Sequence, residues 1–137
     1  MIQRMDFRVF CHATENEDRV RRALSFVTGS NEIRTTKAEG FHGNRILIFE
    51  TELGAKESMR FAERLKRSGI LAALDDRLGE RVDEACILHL RFDKQKACME
   101  SLELAEHDDV IAMKAKLGTY PRSRRAAVRA LMEYAGK

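Results

Sequence analysis

Short segments in which apolar and polar side chains alternate recur along this chain. Residues 7–13, 85–92 and 110–119 show this alternation, residues 45–53 predict a strand whose start is apolar on both faces, and residues 33–39 predict a weak strand. A period of two is typical of strands with one buried face. The segments between them have helical spacing, so helices interrupt the strands. The sequence therefore predicts an α+β fold: a small mixed, mostly antiparallel sheet of four to five strands, with helices packed mainly on one face.

Local signals place the helices. Thr14 and Glu17 form a Thr-x-x-Glu capping box directly after the first strand, which predicts a helix beginning there. Residues 55–67 carry an apolar stripe at helical spacing. A last helix is predicted over residues 122–135, with Pro121 in its first turn, where the missing amide is no loss.

Size and composition limit the class of protein. The chain has 137 residues, 44% of them hydrophobic and 34% charged, with one proline and eight glycines. These values predict one domain over residues 1–137 and exclude collagen-like and disordered classes. The apolar runs are too short for a membrane span, and the first residues lack the apolar core of a signal peptide. We therefore expect a cytoplasmic protein without a membrane partner, whose three cysteines are reduced thiols.

Charge is distributed unevenly. Residues 110–137 hold seven basic residues and one acidic residue, whereas residues 1–109 hold 18 basic and 21 acidic residues. A basic segment on a mildly acidic body favours a phosphate-bearing partner. The alternative is an ordinary solvated helix face beside strand lysines that discourage aggregation.

Motifs for catalysis are absent from the sequence. It contains no P-loop, no dinucleotide-binding glycine pattern, no zinc-protease motif and no serine nucleophile elbow. Cys11 and His12 are adjacent on a predicted strand, so their side chains point to opposite faces and cannot act as a pair. The same reasoning separates Cys86 from His89. We therefore predict no enzyme, no catalytic residue, no metal and no cofactor.

Two segments concentrate polar groups suited to nucleic acid. The Gly-Phe-His-Gly turn over residues 40–43 is followed by Asn44 and Arg45. Residues 91–96 deliver Arg, Lys, Gln and Lys at the end of a strand, where such donors favour nucleic-acid contact. The alternatives are a tight turn with a packed aromatic ring in the first case, and an Asp93 helix cap with solvated lysines in the second.

Four segments in order resemble one known family. Phe10–Glu15 is similar to its F-x-H-A-T-E-like signature, Glu39–Asn44 to its E-G-x-x-G-N turn, and Leu90–Gln95 to its L-R-x-D-K-Q segment. The region from Ile111 to the basic last helix resembles its C-terminal end. The family is a group of small archaeal proteins described as RNA-binding and as predicted exosome subunits. The resemblance covers about residues 7–134 and implies an archaeal source and a fold like that of the ribosomal protein that binds 5S ribosomal RNA.

We therefore predict a non-catalytic RNA-binding protein, an accessory subunit in archaeal RNA processing or degradation. Few of the aromatic residues are placed for stacking on bases, which favours recognition of the RNA backbone and shape. If six phosphates were neutralised, the slope of log affinity against log salt would be about −4 to −5. The residues expected to contact phosphates are Lys114, Lys116, Arg122, Arg124, Arg125 and Arg129. Those expected to make closer contacts are Arg91, Lys94, Gln95, His12, His42, Asn44 and Arg45.

Two alternatives stay open from the sequence. The chain could be a protein–protein module or structural homodimer, with RNA-processing proteins as partners. An exposed face holding Phe10, Met113 or Phe41 would mark such an interface. His12, at the end of a strand, either satisfies local backbone groups or contacts the RNA.

Overall fold

Strands and helices follow one another in the order that the sequence predicts. The computed structural model describes residues 1–40 and 43–136, and these ranges contain five strands and six helices. The elements are β1 (Ile2–His12), α1 (Glu17–Thr28), β2 (Arg34–Glu39), β3 (Arg45–Leu53), α2 (Ala55–Ser68), α3 (Ile70–Leu74), α4 (Arg77–Glu80), β4 (Ile87–Asp93), α5 (Lys94–Cys98), β5 (Val110–Leu117) and α6 (Arg124–Gly136).

The strands form a five-stranded sheet in the order β2-β3-β1-β5-β4. The first two of these pair as an antiparallel hairpin, with Arg34 opposite Glu50 and Glu39 opposite Arg45. β1 lies at the centre of the sheet. One neighbour, β3, follows it closely in the sequence, and the other, β5, lies much farther along the chain. The predicted α+β class, with a sheet of four to five strands, is confirmed.

Alternation along the strands separates a covered face from an open face. In β1, Phe7, Val9 and Cys11 are buried, while Phe10 between them is 44% exposed. β5 repeats this pattern, because its odd-numbered residues from Ile111 to Leu117 are buried and the even-numbered ones are not. The period of two therefore predicted correctly which side chains enter the core.

Internal contacts divide the chain into two compact units. The first unit comprises Met1–Met5, Leu53–Leu90 and Lys114–Lys137, and the second comprises Asp6–Glu52 and Arg91–Met113. Helices α2, α3, α4 and α6 belong to the first unit, whereas α1 and α5 belong to the second. The prediction of one domain stays a prediction.

In the first unit, α6 packs through a small apolar stripe. Ala127 and Leu131 are buried, and α6 contacts both α3 and α4. The α4 contact is close, since a Cβ atom at Gly79 would lie 3.0 Å from a methyl carbon of Val128. With its apolar stripe buried, α6 presents its charged side chains to solvent.

In the second unit, α1 covers the buried side of the strands. Val20, Leu24 and Val27 are buried, and the guanidinium of Arg21 lies 4.3 Å from the centre of the Phe49 ring. This arrangement combines apolar burial with a cation–π contact.

Two helix starts differ from the prediction. The cap of α1 is Asn16, whose side chain accepts a hydrogen bond from the amide of Arg19, and not Thr14. The last helix begins at Arg124 and not at residue 122, because the Ser123 hydroxyl accepts from the amide of Ala126. In both cases another good cap residue within two or three positions takes the role. Pro121 lies before the helix, and Arg122 is not on a helical stripe with the later arginines.

The remaining expectations concern cysteines and membranes. Cys11 and Cys86 are buried, Cys98 is half-buried, and all three are free thiols. Among the helices that the structure describes, none is long and apolar enough to cross a membrane.

Candidate nucleic-acid interface

Three exposed arginines at the start of α6 have no internal partner. Arg122, Arg125 and Arg129 are exposed, and none of them forms an ion pair or hydrogen bond with residues 1–40 or 43–136. We call these residues the α6 arginine set. Because no carboxylate neutralises them, their charge is available to an external anion.

A groove lies beside the α6 arginine set. It has a volume of about 730 Å³, and its lining includes Tyr120, Pro121, Arg125, Arg129 and Glu133. Tyr120 is fully exposed and forms no hydrogen bond with the described part of the chain. Tyr120 is not among the residues that the sequence predicts to contact RNA. Its position in a loop, one residue before the proline and next to the arginines, was the available signal.

Arg124 differs from its neighbours because it binds the protein itself. Its Nε donates to the carbonyl oxygen of Val82 at 2.8 Å, and its Nη2 donates to that of Gly79 at 3.1 Å. These bonds join α6 to α4 and to Val82, which lies two residues beyond the end of α4. Arg124 therefore has a structural role, and only its remaining N–H groups are left for the predicted phosphate contact.

Lys94 is buried, although the sequence predicts it as a contact residue. Its side chain is 2% exposed, and Nζ lies 2.8 Å from Glu15 Oε1, 2.7 Å from Asp109 Oδ1 and 3.2 Å from the Phe10 carbonyl oxygen. An ammonium group has three protons, and three oxygens receive them. Direct contact between Lys94 and RNA is therefore inconsistent with the structure. We call Lys94, Glu15, Asp109 and Gln95 the Lys94 network.

Electrostatics hold this network in its charged form. Burial alone would lower the pKa of Lys94, but the hydrogen bonds that its ammonium group donates to Asp109 and Glu15 outweigh burial and raise the pKa. Burial opposes ionisation of Glu15 and Asp109 as well, and their bonds to Lys94 nevertheless lower the pKa of each carboxyl group. The cation and both anions are thus charged at neutral pH.

Polar groups near Lys94 are also paired. The Gln95 amide donates to Asp109 Oδ2 at 3.0 Å, and Arg91 Nη2 donates to Asp108 Oδ1 and to the His107 carbonyl oxygen, each at 2.7 Å. Asp93 caps α5 by accepting a hydrogen bond from the backbone amide of Lys96. The alternative interpretation of residues 91–96 predicts this helix cap. The donors predicted for this segment are therefore largely used within the protein.

In the turn between β2 and β3, Arg45 has an acidic partner and Asn44 is exposed. Arg45 pairs with Glu17 at 3.1 Å, with both side chains largely exposed. The side chain of Asn44 is exposed, and the backbone carbonyl oxygen of Asn44 accepts a hydrogen bond from the backbone amide of Gly40 at 2.6 Å. His42 and Phe41 lie outside the described residues.

Three further predicted residues lie on strands. His12 is exposed at the end of β1, and its backbone amide donates to Glu15 Oε1 at 3.0 Å. Lys114 is exposed and Lys116 is half-buried, both on the unburied side of β5. Neither lysine forms a hydrogen bond or ion pair with α6 in the described ranges, and a single basic patch over this segment stays a prediction.

Metal binding has no support in the side chains that the structure describes. Within residues 1–40 and 43–136, no group of three or more His, Cys, Asp or Glu side chains could hold a metal ion. The acidic residues near Lys94 are paired with cations instead.

Comparison with protein families gives a match over most of the chain. A family model described as RNA binding matches residues 4–117. The matched range includes the Lys94 network and both strand lysines, while Tyr120 and the α6 arginine set lie beyond it.

Two relatives are similar to this chain over most of its length. "RNA-binding protein PAB1135" of Pyrococcus abyssi is 32% identical, over 93% of this chain and 89% of its own. "Uncharacterized protein MJ0213" of Methanocaldococcus jannaschii is 28% identical, over 81% of each chain.

Solved structures extend the likeness to nearly the whole chain. Mth689, a DUF54 protein from Methanothermobacter thermautotrophicus, has a TM-score of 0.88 and 32% identity and covers 98% of each chain. SSO0741 from Sulfolobus solfataricus, described by the same DUF54 family model, has a TM-score of 0.73 and 26% identity and covers 97% of each chain. The fold therefore occurs in several archaeal proteins.

Proposed function

We propose that this chain, which belongs to the archaeal family of small RNA-binding proteins whose model matches residues 4–117, binds RNA through the α6 arginine set. The observation that carries this proposal is which basic side chains of the protein have an acidic partner and which have none among the described residues. Arg122, Arg125 and Arg129 are exposed and unpaired in the described structure, whereas Lys94, Arg91 and Arg45 pair with carboxylates. Phosphate oxygens are the anions that such free guanidinium groups bind best.

Residues on or near the strands are proposed as separate RNA contacts. Lys114 and Lys116 carry no ion pair in the described structure, and His12 presents an exposed ring without a hydrogen bond to the described residues. We assign these three residues to additional, weaker RNA contacts. Asn44 and His42 remain candidates of the same kind, since the exposed Asn44 side chain has donors and acceptors to offer.

We infer a binding role and not a catalytic one. Burial raises the pKa of the Cys11 thiol, and the charges of Glu15 and Glu17 raise it further, which is the opposite of what activates a nucleophile. Burial likewise raises the pKa of Cys98. Lys94 is held protonated by its two carboxylates, so it is a poor general base.

An accessory role in archaeal RNA processing or degradation, in the cytoplasm, completes the proposal. RNA binding without catalysis suits a subunit that brings RNA to an enzyme. RNA-processing proteins would then be the protein partners, and co-purification of such an enzyme with the tagged chain would test this part.

A homodimer or protein–protein module is the second candidate. Phe10 favours it, because it is 44% exposed on the open face of β1. Met113, however, is buried, so the predicted apolar patch loses one of its three members. A mass by light scattering that stays at the monomer value across a concentration series would exclude self-association.

Fluorescence anisotropy across a salt series tests RNA binding directly. The probes are labelled structured RNA, single-stranded RNA and duplex DNA. The α6 arginine set with Lys114 and Lys116 supplies five cations, so the slope of log affinity against log salt is expected at about −3.5 to −4.5. Binding to RNA in preference to DNA with this slope supports the proposal, and no RNA binding at low salt contradicts it.

A further inference from the structure

We propose that the groove beside α6 binds an unpaired nucleotide of RNA, with the Tyr120 ring stacked on the base and Arg125 and Arg129 on the adjacent phosphates. This inference rests on the proposed function, because it names the part of an RNA that the α6 surface recognises. It also revises the expectation that recognition is limited to backbone and shape.

Tyr120 has no structural use for its ring in the described part of the chain. The ring is fully exposed and its hydroxyl is without a hydrogen bond there. Tyr134 provides the contrast: its hydroxyl bonds to Glu63 at 2.6 Å, and Lys66 lies 5.0 Å from the centre of its ring. A planar aromatic side chain left free beside arginines is what proteins use to stack on nucleic-acid bases.

The groove has an apolar part, which suits a base, and a positively charged part, which suits phosphates. Pro121, Ala126 and Ala130 supply apolar lining, and Arg125 and Arg129 supply positive charge. Glu133 also lines the groove, and its carboxylate repels phosphate while being able to accept hydrogen bonds from a base. Phosphate is therefore disfavoured near Glu133 and favoured near Arg125 and Arg129, and the apolar lining beside the Tyr120 ring is left to the base.

The position of Tyr120 favours unpaired over paired nucleotides, and the groove is large enough for one nucleotide. A groove of about 730 Å³ is in the range of small-ligand sites. A ring on a loop can stack on a base only when that base is unstacked, as in loops, bulges and single strands. Because every base has an aromatic face, we expect little sequence preference from this contact.

Tyrosine fluorescence gives a direct test. The chain has two tyrosines and no tryptophan, so Tyr134→Phe leaves Tyr120 as the only tyrosine reporter. Addition of single-stranded RNA should quench its emission, and RNA of equal length with abasic positions should bind without the same quenching. Such an abasic strand keeps the phosphates and lacks the bases, and it therefore separates stacking from charge.

Matched variants at Tyr120 measure the contribution to affinity. Tyr120→Leu keeps apolar bulk without an aromatic face and should weaken binding of single-stranded RNA about 5- to 100-fold. Tyr120→Phe should bind within about twofold of the original protein, since it keeps the face. Neither variant should change binding of the abasic strand or of an RNA duplex. The residue is fully exposed, so both variants are expected to fold.

The outcomes distinguish this inference from the proposed function. If Tyr120→Leu binds single-stranded RNA as tightly as the original protein, and Tyr120 emission is not quenched, stacking is refuted while phosphate binding stands. If the original protein binds no RNA at low salt, the proposed function itself fails, and a protein partner for this groove becomes the competing explanation.

Discussion

The α6 arginine set and the Lys94 network contain the same kinds of side chain in opposite states. Arg122, Arg125 and Arg129 are exposed without partners among the described residues, whereas Lys94 is buried and gives all three of its protons to protein oxygens. The first arrangement leaves charge for an external ligand, and the second uses charge to hold β1, α5 and β5 in place. Counting basic residues in a segment therefore says less about binding than whether each one has a partner.

Substitutions in the α6 arginine set should produce the greatest change, and the quantity that changes is RNA affinity. Changing Arg122, Arg125 and Arg129 together to Glu should weaken RNA binding about 100-fold or more and reduce the magnitude of the salt slope by about 2 to 3. The free energy of unfolding should change by less than about 0.5 kcal/mol, because exposed positions away from special contacts tolerate substitution. Acidic side chains at the first turn also suit the helix dipole. Anisotropy and urea denaturation measure the two quantities.

A charge-matched control tests whether position or net charge is responsible. Lys56, Arg60 and Arg67 are three exposed cations of α2, and changing them to Glu alters the net charge by the same amount. This control should keep most of the RNA affinity. Equal losses in both triple variants would reduce the α6 effect to general electrostatics.

Substitutions in the Lys94 network should change the free energy of unfolding and not RNA affinity. Lys94→Met should lower the free energy of unfolding by about 3 kcal/mol, since it leaves Glu15 and Asp109 without their cation. The value lies at the low end for broken buried pairs because both carboxylates are partly exposed and can be hydrated. RNA affinity of the folded variant should match that of the original protein.

Asp109→Asn gives a milder version of the same experiment. It leaves Lys94 paired with Glu15 and should cost about 1 to 2 kcal/mol, so it remains measurable if Lys94→Met does not fold. A large loss of RNA affinity in folded Asp109→Asn would show that the Lys94 network takes part in binding, and the contrast between the two regions would then be wrong.

Adjacent arginines give the sharpest comparison of all. Arg124→Ala removes the bonds to the carbonyl oxygens of Val82 and Gly79 and should cost about 1 to 2 kcal/mol of stability. Its effect on RNA affinity should be less than about threefold, whereas Arg125→Ala should lower the affinity about fivefold and leave stability unchanged. Identical behaviour of the two variants would refute the distinction.

The smallest expected effect concerns pH. The pKa values of Glu15 and Asp109 are lowered in the folded protein, so their contribution to stability is present above pH values near 4 to 5 and is lost as the pH falls through the folded pKa. The pKa of Lys94 is raised, so its contribution is present below its unfolded value of 10.5 and is lost as the pH rises past the folded pKa.

A comparison of pH profiles can detect this effect. Stability measured by urea denaturation should decline on acidification less steeply in Lys94→Met than in the original protein, because the variant has no cation to hold the two carboxyl pKa values down. A decline of equal steepness in the two proteins would show that other carboxylates, such as Glu50 between Arg8 and Arg34, dominate acid unfolding.

Local patterns predicted most of the fold because they depend on neighbours in the chain. The alternation at Phe7, Val9 and Cys11 and the apolar stripe of α2 require only a buried side and a solvent side. Helix starts were less predictable, since Thr14 and Asn16 are both good caps and the choice depends on how the chain leaves β1. Likewise, Ser123 competes with Pro121 as the signal for the start of α6.

The α+β class, the order of strands and helices and the excess of basic residues near the C-terminus could all be predicted without a structure. Periodicity and composition are properties of the chain alone, so no fold is needed to recognise them. Which of these charges remain free depends on the folded protein. Lys94 meets Glu15 and Asp109, far away in the sequence, while Arg122, Arg125 and Arg129 meet no carboxylate in the described residues. Whether a cation is paired depends on distances across the fold, and such distances arise only when distant segments pack together.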